Sequence, residues 1–137
     1  MYDPMMVAPM RDELTNAGVT SLGNPEEVDG VLKSPGTSLV VVNSVCGCAA
    51  ANARPGVRQA MQHGKQPDNV VTVFAGVDRE ATDRARSYFK GYMPSSPSIA
   101  LIKDGEVAFI LQRHEIEGRS PEDISGRITQ AYDEHCA

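Results

Sequence analysis

The chain has 137 residues, enough for one domain that buries roughly two-thirds of its unfolded surface without a disulfide framework. Its 41% apolar and 23% charged residues are ordinary for a soluble globular protein. Thirteen Lys and Arg against eighteen Asp and Glu give a net charge of -5, which removes the electrostatic case for nucleic acid or an anionic membrane as partner.

In chain order, Asp3-Pro4 reads as the cap and first position of a helix whose face is Val7, Met10, Leu14 and Ala17, ended by Gly18. The four methionines among the first ten residues are expected on the apolar side of this helix. Asn24-Pro25-Glu26-Glu27 starts a second helix with Val28, Val31 and Leu32 inward, stopped at Pro35-Gly36. Residues 39–42, Leu-Val-Val-Val, fit a strand buried on both faces. Residues 49–64 read as a helix with Val57, Ala60 and Met61 inward, in which Pro55 makes a kink or marks the first turn. After a polar loop, residues 70–75 form a second buried strand. Asp78 is expected to cap a helix carrying Ala81, Ala85 and Phe89.

Residues 94–97, Pro-Ser-Ser-Pro, form a rigid loop before a strand at 98–103. Asp104-Gly105 then predicts a tight hairpin into a strand at 106–111. Ser120-Pro121-Glu122-Asp123 opens a last helix with Ile124, Ile128 and Tyr132 on its face. The resulting order is α-α-β-α-β-α-β-β-α in a single domain, residues 1–137. The first two strands should be parallel, and the hairpin adds antiparallel ones. No glycine-rich phosphate loop follows the first strand. No run reaches the ~18 apolar residues of a membrane span. The start, Met1 to Val7, lacks the basic region and long apolar core of a signal peptide, so a cytoplasmic location is expected.

Three cysteines are present, too few for a scaffold of disulfides. Cys46 and Cys48 lie just after the first central strand and just before a helix, where open α/β sheets place their ligands. A thiol there feels the partial positive charge of the helix N-terminus, which favours the nucleophilic thiolate. Residues two apart have Cα atoms at most ~7 Å from each other, within reach of a disulfide. Gly47 supplies the backbone freedom to close that small ring. Such a pair suits reversible exchange. Two other readings stay open at this point: inert buried cysteines, or a metal site. A metal would need two more ligands from Cys136, His63, His114 and His135, and none of these makes a second tight cysteine pair.

From the first strand onward the order resembles the thioredoxin fold: a central mixed four-stranded sheet flanked by helices, here with two extra N-terminal helices. Residues 97–105 resemble the stretch where thioredoxins carry a cis-proline before a strand and hairpin. The resemblance places a cis-proline at Pro97, facing the active cysteines, and gives Ser96 the role of offering backbone groups to an extended substrate. A more specific resemblance, over essentially the whole chain, is to the bacilliredoxin family. It is carried by residues 40–50 around Cys46-Gly47-Cys48, by Ala53-Arg54-Pro55, Pro67-Asp68-Asn69 and Val73-Phe74-Ala75-Gly76, and by residues 94–98, residues 113–118 and His135-Cys136.

That resemblance implies removal of bacillithiol from mixed disulfides on client proteins, with weak disulfide isomerase activity. Cys46 would attack the bacillithiol sulfur, and Cys48 would resolve the adduct or limit side reactions. Free bacillithiol could resolve it instead, backed by a dedicated reductase. Bacillithiol enters as co-substrate, and no bound cofactor is expected. The other readings are a disulfide isomerase or reductase using a different small thiol, and a redox-regulated client-binding protein without turnover.

Five further residues have a role beside an ordinary reading. Arg54 is expected to stabilise a thiolate or hold a carboxylate of bacillithiol, or else to be a surface arginine. Asn43, with Ser44, could orient the cysteine loop through side-chain to backbone hydrogen bonds. His114 is a candidate base or a local loop histidine, and the alternating charges of Arg113-His114-Glu115 could fix that loop beside the site. Cys136 is either a solvated tail thiol or a second resolving thiol folded back toward the pair.

Overall fold

In the computed structural model, which describes residues 2–137, the chain forms α1 (Pro4–Thr15), β1 (Thr20–Ser21), α2 (Pro25–Leu32), β2 (Thr37–Asn43), a π-helical turn (Ala49–Ala53), α3 (Arg54–Ala60), β3 (Asn69–Phe74), α4 (Arg79–Arg86), β4 (Ser98–Lys103), β5 (Glu106–Leu111), α5 (Arg113–Ile116) and α6 (Pro121–His135). The sheet order is β1-β3-β2-β4-β5. β2 runs parallel to β3 and antiparallel to β4, and β5 pairs antiparallel with β4. The hairpin turn is the expected one: Asp104 and Gly105 both have positive φ, 51° and 84°.

Every residue of β2 is buried, because helices cover both sheet faces. Leu39, Val41, Ile99 and Leu101 face a core closed by Leu14, Val57, Ile124, Ile128 and Tyr132, from α1, α3 and α6. Val40, Val42, Val71 and Val73 face the other core, closed by Val28, Leu32, Ala81, Ala85 and Phe89, from α2 and α4. The period-two alternation along β2 thus feeds two separate cores. α3 and α6 approach closely at Gly56, where a Cβ would lie 2.6 Å from Ile124 Cγ2.

Several expectations change. The sheet has five strands, not four: the two-residue β1 pairs parallel with β3, too short to leave a periodic signal. A one-turn helix, α5, follows β5 where a loop was expected. Asp78 sits at the start of α4 without a side-chain capping bond. Its carboxylate instead accepts from Phe74 N at 3.1 Å and from Arg11 at 2.7 Å, because the guanidinium from α1 outcompetes the helix N–H groups. Met5 and Met6 are 84% and 51% exposed rather than packed inward. Val7 and Leu14 form the buried side of α1, and these two methionines fall off it. Met1 lies outside the described residues.

Pro55 marks the first turn of α3, the second of the two expected outcomes, although the chain before it is helical too. Residues from Gly47 onward are already helical, and the backbone widens so that Arg54 N–H reaches Ala49 O, five residues back. Pro55 has no N–H for a carbonyl four residues back, and the wide turn absorbs that loss.

Candidate active site

The C-terminal ends of β2 and β3, the start of β4 and the end of β5 all meet at one end of the sheet. Val42 pairs with Ser98, Asn43 with Phe74 and Leu111 with Ile99. This topology gathers Cys46, Ser96 and Arg113 around an open cavity of about 440 Å³. The Ser96–Pro97 bond is cis, and Ser96 borders the cavity. Pro97 is buried just behind it.

The loop from β2 to the helix is built from hydrogen bonds within its own sequence. Asn43 Oδ1 accepts from Ser44 N at 2.9 Å, and Ser44 Oγ accepts from Cys46 N at 3.0 Å. These are the side-chain to backbone bonds expected of Asn43 and Ser44. Cys46 then occupies the cap position, its carbonyl accepting from Ala49 N at 2.9 Å. The N–H groups of Cys48 and Ala49, the second and third helical residues, serve its sulfur as they would serve a capping serine oxygen.

Both thiols are free and half-buried, so exposure does not separate them. Hydrogen bonding does. The two sulfurs are 2.7 Å apart, and a thiolate on Cys46 takes the S–H of Cys48. That contact, foremost, holds the Cys46 thiol below its ordinary value, against the opposing effect of burial. The two backbone N–H groups and the Arg113 charge add to it. Cys48 goes the other way: burial first, then its role as donor to Cys46, pushes it up to about 11. As the pH rises the pair therefore ionises first at Cys46. Replacing Cys48 by alanine should shift the pH profile of Cys46 alkylation to higher pH, since the leading favourable contact is gone. Cys48→Ser, which keeps an O–H donor, should shift it less. Overlapping wild-type and Cys48→Ala profiles would refute the donor role.

Gly47 is exposed, and a Cβ there would meet nothing within 4 Å. Arg54 is not at the cavity as expected. It is buried, donating to Glu13 Oε1 at 3.1 Å, Asn43 Oδ1 at 3.0 Å and Ser44 O at 2.9 Å. Its guanidinium braces the cysteine loop from behind, and its position under the π-helical turn keeps it from solvent. His114 is 81% exposed and does not border the cavity. The neighbouring Arg113 does. It is the residue sequence reasoning passed over as a site group, because only the placement of α5 brings it to Cys46.

Cys136 is neither a solvated tail thiol nor near the pair. It is buried at the end of α6 beside Thr37, where β2 begins. Seven residues of strand, ~20 Å, separate that end of the sheet from the Cys46 loop. Burial pushes its thiol up, so it is a poor nucleophile where it stands. The other residues considered for a metal are dispersed: His63 pairs with Asp133 at 2.8 Å and His135 lies beside Cys136. Among the described residues no three His, Cys, Asp or Glu side chains converge. No helix among them is long and apolar enough to cross a membrane.

Comparison with known proteins bears on family and fold. The family described as disulphide isomerase matches residues 2–136. A bacilliredoxin of Cytophaga hutchinsonii is 54% identical over 134 residues, 98% of this chain and 99% of the relative. Bacilliredoxins of Halalkalibacterium halodurans and Staphylococcus saprophyticus are 53% and 51% identical over 100% and 99% of this chain, and 93% and 94% of theirs. Among solved structures, a protein with a thioredoxin fold superposes with a TM-score of 0.62 at 12% identity, covering 85% of this chain and 95% of its own. Mitochondrial thioredoxin 3 of Saccharomyces cerevisiae does so with 0.56 at 18%, covering 89% and 98%. The fold is that of thioredoxin.

Proposed function

The chain belongs to the bacilliredoxin family and is a thiol-disulfide oxidoreductase, and on that premise we propose that it strips bacillithiol from mixed disulfides on protein cysteines. The observation that carries this reading is the unequal pair: a Cys46 thiol at a helix N-terminus, open to a cavity and more readily ionised than the Cys48 thiol in contact with it.

In the proposed cycle the Cys46 thiolate attacks the bacillithiol sulfur. A new S–S bond forms as the old one breaks, and the electron pair leaves on the client sulfur, which takes a proton. Backbone groups of Ser96 receive the extended client segment. The Cys46 negative charge is then gone, and with it one of the effects that held Cys48 protonated. Cys48 loses its proton more readily at that moment than before. Its attack on Cys46 Sγ forms the Cys46–Cys48 disulfide and releases bacillithiol. The mixed disulfide has gained two electrons, ending as the client thiol and free bacillithiol, and the cysteine pair has lost them. Two molecules of free bacillithiol restore the pair and become bacillithiol disulfide, which a separate reductase recycles in the cytoplasm. The partners are therefore bacillithiolated proteins, bacillithiol and its reducing system.

Turnover on a small bacillithiol mixed disulfide tests this. With excess bacillithiol as reductant, many turnovers per protein are expected, and slower ones with glutathione. A single turnover or none would make the protein a redox-regulated binder of clients. Equal rates with both thiols would make it a general disulfide reductase or isomerase.

A further inference from the structure

We propose that Arg113 is the carboxylate anchor of this site, so that the cavity beside Cys46 selects a small thiol carrying a negative charge. The inference rests on the thiol-exchange reading above and names the residue that sets its substrate preference. Arg113 is the one cationic side chain that borders the cavity among the described residues, in a chain whose net charge is -5. Apart from Cys46 itself, the rest of the lining, including Tyr2, Ser44, Gly76 and Ser96, is neutral. A lone cation beside a nucleophilic sulfur has two possible targets, the thiolate itself and an anionic group on the molecule the thiolate attacks.

The geometry points to the second as well as the first. The backbone of Arg113 is fixed on both sides. Gln112 and Glu115 form a reciprocal capping box around the start of α5, and Ser95 Oγ accepts from Arg113 N at 3.2 Å. Ser95 Oγ also donates to Gln112 Oε1 at 2.7 Å, so α5 is tied to the loop that carries Ser96. Arg86 holds the same loop from α4, donating to Ser95 O at 3.1 Å. The guanidinium spends only Nε on Glu117, at 2.8 Å. Its two Nη groups have no partner among the described residues, and the side chain is half exposed. An exposed i,i+4 pair of this kind adds little stability. Its effect is to steady the fork while leaving the Nη edge open, which suits two-point recognition of a carboxylate.

A second wall limits what fits. Tyr2 N donates to Gly76 O at 3.0 Å and holds the ring at the cavity edge. Gly76 has φ 84°, and a Cβ there would come 2.8 Å from the Tyr2 ring, so only glycine admits this arrangement. A thiol bound through its sulfur to Cys46 would extend along this aromatic surface with its carboxylate at Arg113.

Three pyridyl disulfides of similar size test the anchor, carrying 3-mercaptopropionate, 3-mercaptopropanol and cysteamine. The pyridyl thiol is the leaving group in each, so its release reports formation of the Cys46 adduct in one step. The wild-type protein is expected to prefer the anionic reagent over the neutral one. Arg113→Gln should lower that ratio by roughly five- to tenfold and move the cationic-to-neutral ratio the other way. Any effect of Arg113 on the thiolate alone scales all three rates together and leaves the ratios untouched. Arg113→Lys, which keeps the charge and loses the fork, should retain part of the preference. Ratios unchanged by Arg113→Gln would overturn the anchor while leaving the exchange chemistry standing. No reaction with any reagent would overturn both.

Discussion

Cys46→Ser is expected to lower the exchange rate at least roughly a thousandfold while leaving the fold intact. The serine hydroxyl can accept from the same two backbone N–H groups at the helix start, and so the cap survives. It cannot supply a thiolate, and every contact that charges Cys46 then has nothing to act on. Cys48→Ala should behave differently. The attack on bacillithiol persists, weakened only by the upward shift of Cys46, but the intramolecular exit is lost. The Cys46–bacillithiol adduct should accumulate and decay at a rate proportional to added bacillithiol. Comparable single-turnover rates for Cys46→Ser and wild type would refute the assignment. So would an adduct in Cys48→Ala whose decay ignores the bacillithiol concentration.

The second large effect is on stability. Arg54→Met should cost about 2–4 kcal/mol, because it leaves the buried Ser44 carbonyl without a donor and Asn43 Oδ1 with Ser44 N alone. Glu13 is 37% exposed and can turn to water, so its loss adds little. Arg54→Lys should recover only a minor part, since one ammonium cannot reach three acceptors spread over a planar fork. The loop that presents Cys46 hangs on these bonds, so exchange should slow in step with the loss of stability. Urea unfolding measures this: the midpoint should fall with the slope unchanged. A midpoint equal to the wild type's would mean the brace contributes nothing.

Much of the site was legible in the chain because its signals are local. The buried strand, the cysteine pair behind it and the helix start are contiguous, and their chemistry follows from adjacency. Asn43 and Ser44 act on neighbouring backbone groups, so their roles could be read the same way. Arg54 and Arg113 could not. Each is an arginine near a turn, and only the sheet topology sends one beneath the cysteine loop and the other to its open side. Cys136 misled for a similar reason: a residue next to the chain end reads as mobile, yet the packing of α6 carries it into the core. The fold was legible wherever periodicity was long enough to see. β1, with two residues, and α5, with four, lie below that length, and both are held by tertiary contacts.

Cys46 is the attacking sulfur of the proposed cycle, and one measurement addresses that assignment most directly. The reduced wild-type protein is mixed with one equivalent of a bacillithiol mixed disulfide and quenched in acid before resolution, and the adduct is located by peptide mass. Bacillithiol on Cys46, with Cys48 and Cys136 unmodified, is the expected result. Bacillithiol on Cys48 at the earliest time would contradict it and reverse the roles of the two thiols.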